Sequence, residues 1–399
     1  MTGVTRVPNR RRGPDLSAVG EGLRPAMSSR QARLETSAAG NLDPILIGSM
    51  LALAGLGLLM IYSSSRNVDS EDAFYFVKRQ GIAIAVGVAV MVAVMAVDYR
   101  KLRDFSVIAY GAVVASLLLV LSPIGSNARG SQAWFEVPGG FQLQPSELAK
   151  FGIIIAVAGY CNEHRGEMDP RRLVLTIGLA AVPLGLVALQ PDLGTGMVIA
   201  IIVVGLLALA GVAARQLLIL ALLAITAVLL VVNVGLLEDY QQDRLTAVFN
   251  PGSDEQGSTY NQDQSKIAIA SGGGFGTGLY QGLQTQGGFV PEQRTDFIFT
   301  AVGEELGFFG SAMVLGLFAL IVWRIWRTAN VARDFFGMLV CMGVLTMFVF
   351  QIFENIGMTM GIMPVTGIPL PFMSYGGSAT IASFACIGLV ANVYMRRFD

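Results

Sequence analysis

Residues 193–213 read LGTGMVIAIIVVGLLALAGVA, an apolar run that contains no charged side chain. A helix needs about 20 mainly apolar residues to cross the hydrocarbon core of a membrane, so this run is long enough to span one. Comparable runs recur along the chain and predict about ten spanning helices. Their approximate positions are 43–62, 80–97, 105–123, 148–161, 173–190, 193–213, 216–237, 297–323, 335–354 and 377–395. The sequence therefore predicts an all-α fold, that of a polytopic membrane protein.

The composition agrees with this fold class. Apolar residues make up 53% of the chain and charged residues 14%, whereas a soluble domain is about 25% charged. The net charge of -1 shows no acidic or basic excess, so we expect no nucleic-acid partner. The three cysteines have no spacing suited to a metal or to a set of disulfides. The single histidine, His164, excludes a mechanism that needs two imidazoles.

Residues 1–42 differ in kind from the membrane domain predicted for residues 43–399. They carry seven arginines and few large apolar residues, which predicts a disordered basic tail rather than a cleaved signal peptide. With this tail in the cytoplasm, the cytoplasmic connections hold most lysines and arginines, as the positive-inside rule requires. An even number of helices then places both termini in the cytoplasm. The eight cations left on the outward side are Arg66, Lys78, Arg79, Arg129, Lys150, Arg244, Lys266 and Arg294.

The longest outward connection is an extracytoplasmic loop over residues 238–296. Loops longer than about 15 residues are usually functional, so we expect the working residues in or beside this one. Its glycine-rich part, from Gly272 to Gly288, has neither the preceding strand nor the Gly-Lys-Ser/Thr ending of a phosphate-binding loop. The composition favours a flexible hinge there.

Acidic residues lie where this loop enters the eighth predicted helix. Asp296 is at the boundary, where an acidic side chain either caps the helix or carries chemistry. Glu304 and Glu305 lie about two turns deeper, where a carboxylate costs a few kcal/mol unless it is paired or wet. They are either hydrogen-bonded structural groups or functional ones. Glu354 on the ninth predicted helix poses the same question.

Other candidate residues precede the long loop. Glu147 and Lys150 have i, i+3 spacing and form either a structural ion pair or a site where Lys150 meets an anionic substrate from a water-filled cavity. Asp192 is placed to cap the sixth predicted helix. Trp134 is either an interfacial anchor or a surface on which sugars stack. These residues describe an outward cavity with carboxylates and cations, which suits a transporter as well as an enzyme.

The motifs around these residues, taken together, resemble the SEDS family (shape, elongation, division and sporulation) of membrane peptidoglycan glycosyltransferases. They follow one another in the family's order from about residue 43 to the end of the chain. The matching motifs are Gln144-Pro145-Ser146-Glu147 with Lys150, Gln190-Pro191-Asp192-Leu193-Gly194-Thr195, Gln242-Asp243-Arg244-Leu245, Gln264-Ser265-Lys266-Ile267-Ala268, Pro291-Glu292, Thr295-Asp296-Phe297-Ile298-Phe299, Glu304-Glu305-Leu306-Gly307, Asn355-Ile356-Gly357-Met358, the stretch from Pro364 to Pro371, and Ser374-Tyr375-Gly376-Gly377-Ser378. Within the family, residues 282–284 and 355–358 favour the elongation branch over the division branch.

The resemblance implies polymerisation of lipid II for cell elongation, in which the 4-hydroxyl of one disaccharide attacks the anomeric carbon of a polyprenyl-diphosphate-linked glycan. It makes Asp296 the general base, a role worth about 10²–10⁴-fold in rate. It implies no tightly bound cofactor, with Mg²⁺ or Mn²⁺ as an additional expectation. The residues expected to bind substrate are Lys150, Arg244, Lys266, Arg129, Trp134, Gln264 and Ser265, and those expected to support the site are Glu147, Asp192, Glu304 and Glu305.

Two departures from the family's pattern affect this expectation. The family often has an arginine immediately before the tryptophan of the outward loop, where this chain has Ala133. A cation at that place must come from Arg129 or be absent. Arg294 stands where the family frequently has a histidine, which matters less because Asp296 itself is retained.

Three further functions are alternatives to elongation-specific synthesis. A lipid II flippase would use the same cavity and cations without making a bond, a division-specific polymerase would share the chemistry, and a scaffold would leave the buried carboxylates unexplained. The expected partners are membrane lipid and a single-span class B penicillin-binding protein that crosslinks the strands. The resemblance implies a bacterial cytoplasmic membrane location with the active site outside.

Overall fold

The structure, a computed structural model, describes residues 41–67, 74–128, 131–137, 140–166, 169–234 and 258–398. The chain divides into two units, residues 1–41 and 42–399. Nearly all of the first unit lies outside the described residues. The disordered basic tail predicted for residues 1–42 therefore falls almost entirely on residues that the structure does not describe.

The described residues form thirteen helices and three short strands. In chain order they are α1 Pro44–Ser65, α2 Tyr75–Ala96, α3 Tyr99–Asp104, α4 Ser106–Val120, β1 Ser126–Ala128, β2 Ser131–Val137, β3 Phe141–Leu143, α5 Pro145–Glu163, α6 Pro170–Ala188, α7 Leu193–Leu209, α8 Ala214–Val234, α9 Ser258–Ser271, α10 Leu283–Gly287, α11 Ile298–Asn330, α12 Phe335–Thr359 and α13 Gly377–Met395. The predicted helical fold class is confirmed.

Every apolar run that predicted a spanning helix coincides with one of these helices. Among the described residues, α1, α2, α6, α11, α12 and α13 are long and apolar enough to cross a membrane. The helices α4 and α7 and the first part of α8 are apolar but shorter. The count of ten spans therefore stays a prediction.

The helix α5 shows how a charged side chain is accommodated inside this bundle. Most of its residues are buried, including Glu147 and Lys150, and it packs against α4, α7, α12 and α13. The neighbouring helices therefore cover the Lys150 side chain, which is 2% exposed. The helix α13 is also almost entirely buried and packs chiefly against α2, so the elements that carry the site lie at the centre of the bundle.

A small antiparallel sheet, which the sequence did not predict, precedes α5. Its strand order is β1-β2-β3, and Phe135 pairs with Leu143 in the β2–β3 register. The hydroxyl of Ser378 in α13 accepts from the backbone N–H of Gln144 (2.8 Å) and donates to the carbonyl of Gln142 (3.2 Å). One serine therefore fastens the end of the sheet to the start of the last helix.

The glycine-rich stretch is docked against a break in α11. Gly307 has φ 67° and ψ −161°, a region that is essentially restricted to glycine. The break exposes backbone groups of α11, and the glycine-rich stretch supplies partners for them: Thr277 N–H donates to the carbonyl of Glu304 (2.9 Å), and Phe308 N–H donates to that of Gly273 (2.9 Å). The glycines allow this close approach. That the stretch is a flexible hinge stays a prediction.

Candidate active site

Asp296 lies in a tight turn immediately before α11. The helix begins at Ile298, and its N-cap position is Phe297, which makes no side-chain cap bond. One of the two interpretations of Asp296 made it the cap of this helix. The N-cap residue is Phe297 instead. The turn is held from outside, because Asn355 in α12 donates to the carbonyls of Asp296 (2.7 Å) and Ile368 (2.8 Å).

Asp296 lines a cavity of about 160 Å³, here called the acid cavity. The cavity brings together side chains and backbone from six separate parts of the fold. Its lining is Trp134 from β2; Gln144, Glu147 and Lys150 at the start of α5; Asp192, Thr195 and Val198 at the start of α7; Thr295 and Asp296; the loop residues Gly367, Ile368 and Pro369; and Tyr375, Gly376, Gly377, Ser378 and Ala379 at the start of α13.

Glu147 and Lys150 form an ion pair inside this lining. The Lys150 ammonium lies 2.7 Å from the Glu147 carboxylate, and the two side chains are 2% and 5% exposed. The predicted ion pair is therefore present and lines the cavity. That Lys150 meets an anionic substrate there stays a prediction. An ammonium has three N–H donors, so Lys150 can keep Glu147 and still meet a second anion.

Asp192 is held by three donors. Its carboxylate accepts from the Thr195 backbone N–H (3.0 Å), the Gln144 side-chain amide (2.9 Å) and the Ser146 hydroxyl (3.1 Å). The predicted cap of the helix that begins at Leu193 is confirmed. Because the other two donors lie at the start of α5, Asp192 also fixes α5 against α7 and thereby positions Lys150.

A second cavity of about 120 Å³, here called the arginine cavity, adjoins the first. It shares Trp134, Thr295, Tyr375, Gly376 and Gly377 with the acid cavity. The residues that it alone contains are Arg79 and Gln80 from α2 and Gly140, Phe141 and Gln142 from the sheet.

Arg79 is presented to this cavity between two aromatic rings. Its guanidinium carbon lies 4.8 Å from the ring centroid of Tyr75 and 5.2 Å from that of Phe141. Gly140, with φ 74°, lies directly beside the guanidinium, and a Cβ at this position would overlap it. The turn between β2 and β3 thus leaves room for the arginine.

The wall that the two cavities share is fixed to α2. Gln80 is buried and donates to the carbonyl of Ser374 (3.0 Å) and to the hydroxyl of Thr380 (2.9 Å), while it accepts from Gly376 N–H (3.2 Å). On the other side, Tyr375 N–H donates to the carbonyl of Arg294 (2.8 Å). Residues 374–377 are consequently held on both sides.

Glu304 and Glu305 lie elsewhere, at the contact between α11 and the glycine-rich stretch. Glu304 accepts from the backbone N–H groups of Gln284 and Thr285 (both 2.8 Å) and from the Thr285 hydroxyl (2.7 Å). Glu305 accepts from the Ser63 hydroxyl (2.5 Å). Both carboxylates are hydrogen-bonded inside the protein, as one of the two interpretations of these residues predicted. Neither residue lines either cavity.

Three predicted substrate-binding residues of the long loop that the structure describes, Gln264, Ser265 and Lys266, line neither cavity. Ser265 is buried, and its hydroxyl bonds with Thr300 Oγ1 (2.8 Å) and the Thr359 carbonyl (2.9 Å), which ties α9 to α11 and α12. Lys266 is half exposed and pairs with Asp263 at 2.7 Å. Gln264 is half-buried on the same helix. Two further predicted residues, Arg129 and Arg244, lie outside the described residues. The substrate contacts of all five stay predictions.

Sequence reasoning gave no role to several residues that line the cavities. Thr295, Tyr375 and Gly376 stand inside the quoted motifs, so the motif match was a signal for them, although it did not say what they do. Arg79 was counted only as an outward cation. Its place in the same cavity lining as Trp134 depends on how the fold brings α2 and the sheet together, which no local pattern predicts.

The divalent cation that the resemblance adds as an expectation would need a group of ligating side chains. Within the part of the chain that the structure describes, no group of three or more His, Cys, Asp or Glu side chains could hold a metal ion. Two carboxylates of the acid cavity, those of Glu147 and Asp192, already have partners. The described residues therefore do not fit a metal held by the protein alone.

Comparison with known proteins supplies independent information. A family model described as "cell cycle protein", which covers FtsW, RodA and SpoVE, matches residues 44–398. A probable peptidoglycan glycosyltransferase FtsW of Geobacter metallireducens is 35% identical over 361 residues, which is 89% of this chain and 95% of that protein. The peptidoglycan glycosyltransferase MrdB of Escherichia coli K12 is 35% identical over 358 residues, 90% of this chain and 94% of that protein.

A solved structure is similar over most of the chain as well. It is described as the structural coordination of polymerisation and crosslinking by a peptidoglycan synthase complex. Its matching chain has a TM-score of 0.77 and 30% sequence identity, covering 90% of this chain and 99% of that one.

Proposed function

The chain belongs to the SEDS family, the cell cycle proteins that include FtsW, RodA and SpoVE, and from that premise we propose that it is a peptidoglycan glycosyltransferase that polymerises lipid II in the bacterial cytoplasmic membrane. The observation that carries the proposal is the acid cavity. It places Asp296 in the same lining as Lys150 and Trp134, which supplies a base, a cation and an aromatic face in one place.

The reaction follows from what these groups can do. The Asp296 carboxylate takes the proton of the acceptor 4-hydroxyl, and the oxygen attacks the anomeric carbon of the lipid-linked glycan. The new C–O bond forms as the bond from that carbon to the diphosphate breaks, and the electron pair leaves on the diphosphate. A single displacement inverts the anomeric centre. One carboxylate is sufficient, because the diphosphate is already a good leaving group and needs cations rather than an acid.

Lys150 is the cation of this cavity that we assign to the leaving diphosphate. The ammonium is buried beside Glu147, and a charge in a site sheltered from water acts more strongly on developing negative charge than it would in solvent. Glu147 orients the ammonium when no substrate is bound, while Asp192 holds the helix that carries it. We assign Trp134 to the sugar rings, since pyranose faces stack on indole.

We also propose the orientation and partners that the sequence suggested. Both termini lie in the cytoplasm and the two cavities open outward, which follows from the distribution of lysines and arginines. The partner is a class B penicillin-binding protein, and the process is cell elongation. The relatives named FtsW and MrdB are equally similar, at 35% identity each, so elongation rests on residues 282–284 and 355–358 alone.

The test is the variant Asp296→Asn, assayed as purified protein with lipid II in detergent. We expect it to remain folded and to lose glycan synthesis by about 10²–10⁴-fold, since an amide cannot accept the proton. Asp263→Asn is the matched control, because this exposed aspartate lies in the same predicted loop and outside both cavities. Strand synthesis at the normal rate by Asp296→Asn would remove the assignment of the base.

The same assay separates the polymerase from a flippase. In detergent the two sides of a membrane do not exist, so a transporter of lipid II gives no product that can be detected. Polymer formed by the wild-type protein therefore identifies an enzyme. If the wild-type protein binds lipid II and forms no polymer, the flippase becomes the better proposal.

A further inference from the structure

The turn that carries Asp296 is fastened to α12 by one side chain, Asn355. Its amide nitrogen lies 2.7 Å from the carbonyl oxygen of Asp296 and 2.8 Å from that of Ile368. Asp296 and Ile368 both line the acid cavity. A single amide group, here called the Asn355 clamp, therefore joins two parts of the cavity lining that are far apart in the sequence.

The orientation of this amide follows from the two carbonyls. An amide nitrogen carries two N–H donors, whereas an amide oxygen only accepts, so a reversed amide would place its oxygen against two carbonyl oxygens. The side chain is fully buried, and its Oδ1 has no hydrogen-bond partner among the described residues. Because a buried acceptor without a donor costs free energy, the amide satisfies the two carbonyls while its own oxygen stays unpaired.

Apolar packing anchors the same turn to the same helix. Phe297, the residue after Asp296, is buried in a small cluster with Val290, with Met358 of α12 and with Val365 of the loop that follows α12. The position of the Asp296 backbone is therefore set by the end of α12 and this loop, although Asp296 is adjacent in sequence to α11.

A general base acts only over a short distance. Its oxygen has to lie about 2.6–3.2 Å from the oxygen of the hydroxyl that it deprotonates, and a misplacement of about 1 Å lowers a rate by about 10²-fold. Other elements hold the groups that we assign to the donor diphosphate and the sugar rings. Asp192 fixes the helix of Lys150, and strand β2 carries Trp134. Release of the Asn355 clamp would therefore move the base and leave these groups in place.

We propose that Asn355 is a positioning residue for the glycosyl transfer, which acts through the backbone of Asp296 and holds its carboxylate at the acceptor 4-hydroxyl. This inference rests on the proposed function, because it needs Asp296 to be the base. Asn355 itself lines neither cavity. Its effect is therefore on the rate of transfer and not on the binding of lipid II.

The experiment compares Asn355→Leu with wild type, both purified and assayed with lipid II in detergent. Leucine keeps the branched outline of the side chain and has no N–H donor. We expect kcat per folded molecule to fall about 10–100-fold, while KM stays within about threefold of wild type. Lipid II whose 4-hydroxyl is blocked binds without reacting, and its dissociation constant should also stay within about threefold. If Asn355→Leu does not fold, Asn355→Asp is used, which replaces the amide nitrogen by an oxygen and should give the same loss of kcat.

Asn392→Leu is the matched control. Asn392 in α13 is another fully buried asparagine, and its amide donates to the carbonyls of Val94 (2.6 Å) and Val97 (2.5 Å). Its Oδ1 also accepts from the backbone N–H of Tyr99, and it lines neither cavity. Asn392→Leu should lower the unfolding temperature at least as much as Asn355→Leu does. It should leave kcat per folded molecule within about twofold of wild type.

Three results would overturn the positioning role. If Asn355→Leu lowers kcat per folded molecule by less than about tenfold, the Asn355 clamp serves the fold alone. If KM or the dissociation constant rises by more than about threefold, Asn355 shapes the wall at Ile368 instead of placing the base. An equal loss of kcat in Asn392→Leu would show that the rate depends on the packing of the whole bundle. Failure of the proposed function gives a different result, because the wild-type protein would then bind the blocked lipid II and form no polymer from lipid II.

Discussion

Asp296 and Glu304 lie on the same short stretch of chain, at the entrance to α11, and their surroundings differ. Glu304 is fully buried, and three donors from the α10 segment occupy its carboxylate. Asp296 is half-buried and lines the acid cavity, and Asn355 donates to its backbone carbonyl. The first carboxylate completes a contact between segments, and the second is positioned for a molecule that enters from outside.

The comparison teaches that motif membership does not separate structural acids from working ones, because both residues belong to the quoted motifs. The distinguishing feature is whether the carboxylate borders space. Three predictions follow from this difference, from the largest expected effect to the smallest. They concern the acid cavity, the helix break at Gly307 and the surface of α9.

The largest effect is expected for Lys150→Met. It leaves the buried Glu147 without its partner, which costs about 3–5 kcal/mol, and it removes the cation from the acid cavity. Thermal unfolding in detergent and the lipid II assay should both show the loss. The double variant Glu147→Gln with Lys150→Met should recover most of the stability, because no buried charge remains, without recovering synthesis. Recovery of synthesis by the double variant would mean that the pair is structural, as Glu304 is.

An intermediate effect is expected for Gly307→Ala in the helix break. A non-glycine residue in this backbone conformation costs on the order of 1–3 kcal/mol, and the new Cβ would also overlap the backbone N–H of Gly276. The unfolding temperature should fall, while synthesis per folded molecule stays near that of wild type.

Gly316→Ala is the matched control for this variant, since nothing lies within 4 Å of the position of its Cβ. A helical glycine replaced by alanine should be neutral or more stable by about 0.5–1 kcal/mol. The comparison fails if Gly307→Ala retains full stability and loses most of its rate, because the break would then belong to the working site.

The smallest effect is expected for Lys266→Gln on the surface of α9. The pair with Asp263 is half exposed on both sides, and exposed pairs contribute about 0–1 kcal/mol. Stability and synthesis should therefore remain close to wild type. A tenfold loss of synthesis would support the sequence-based prediction that Lys266 contacts substrate, and α9 would then have to reach the acid cavity during the reaction.

The helices were predictable because the information for them is local. A run of about 20 apolar residues predicts a helix without reference to the rest of the chain, and each predicted run coincides with a helix. The sheet between α4 and α5 was not predictable in this way. Its strands are as short as three residues, as in Ser126–Ala128 and Phe141–Leu143, and their pairing partners carry no distinctive alternation.

The site was predictable only in part, because motifs are local in the sequence and the contacts of a side chain in the fold are not. Motifs identified Asp296, Lys150 and Asp192, and the structure places all three in one cavity lining. Motifs also selected Ser265, whose hydroxyl bonds to Thr300 and to the backbone of α12. A motif shows that a residue is required and does not show whether it is required by the substrate or by the fold. That depends on tertiary contacts, as it does for Arg79.

The serine that joins the sheet to α13 has a consequence for biosynthesis. Ser378 and its partner Gln144 are separated by 234 positions in the chain, and membrane helices enter the bilayer in order as the ribosome delivers them. A nascent chain that already holds Asp296 and Lys150 still lacks one wall of the cavity until its final helix is inserted. Translation that stops before α13 would therefore release a fragment that holds both residues and lacks the assembled cavity.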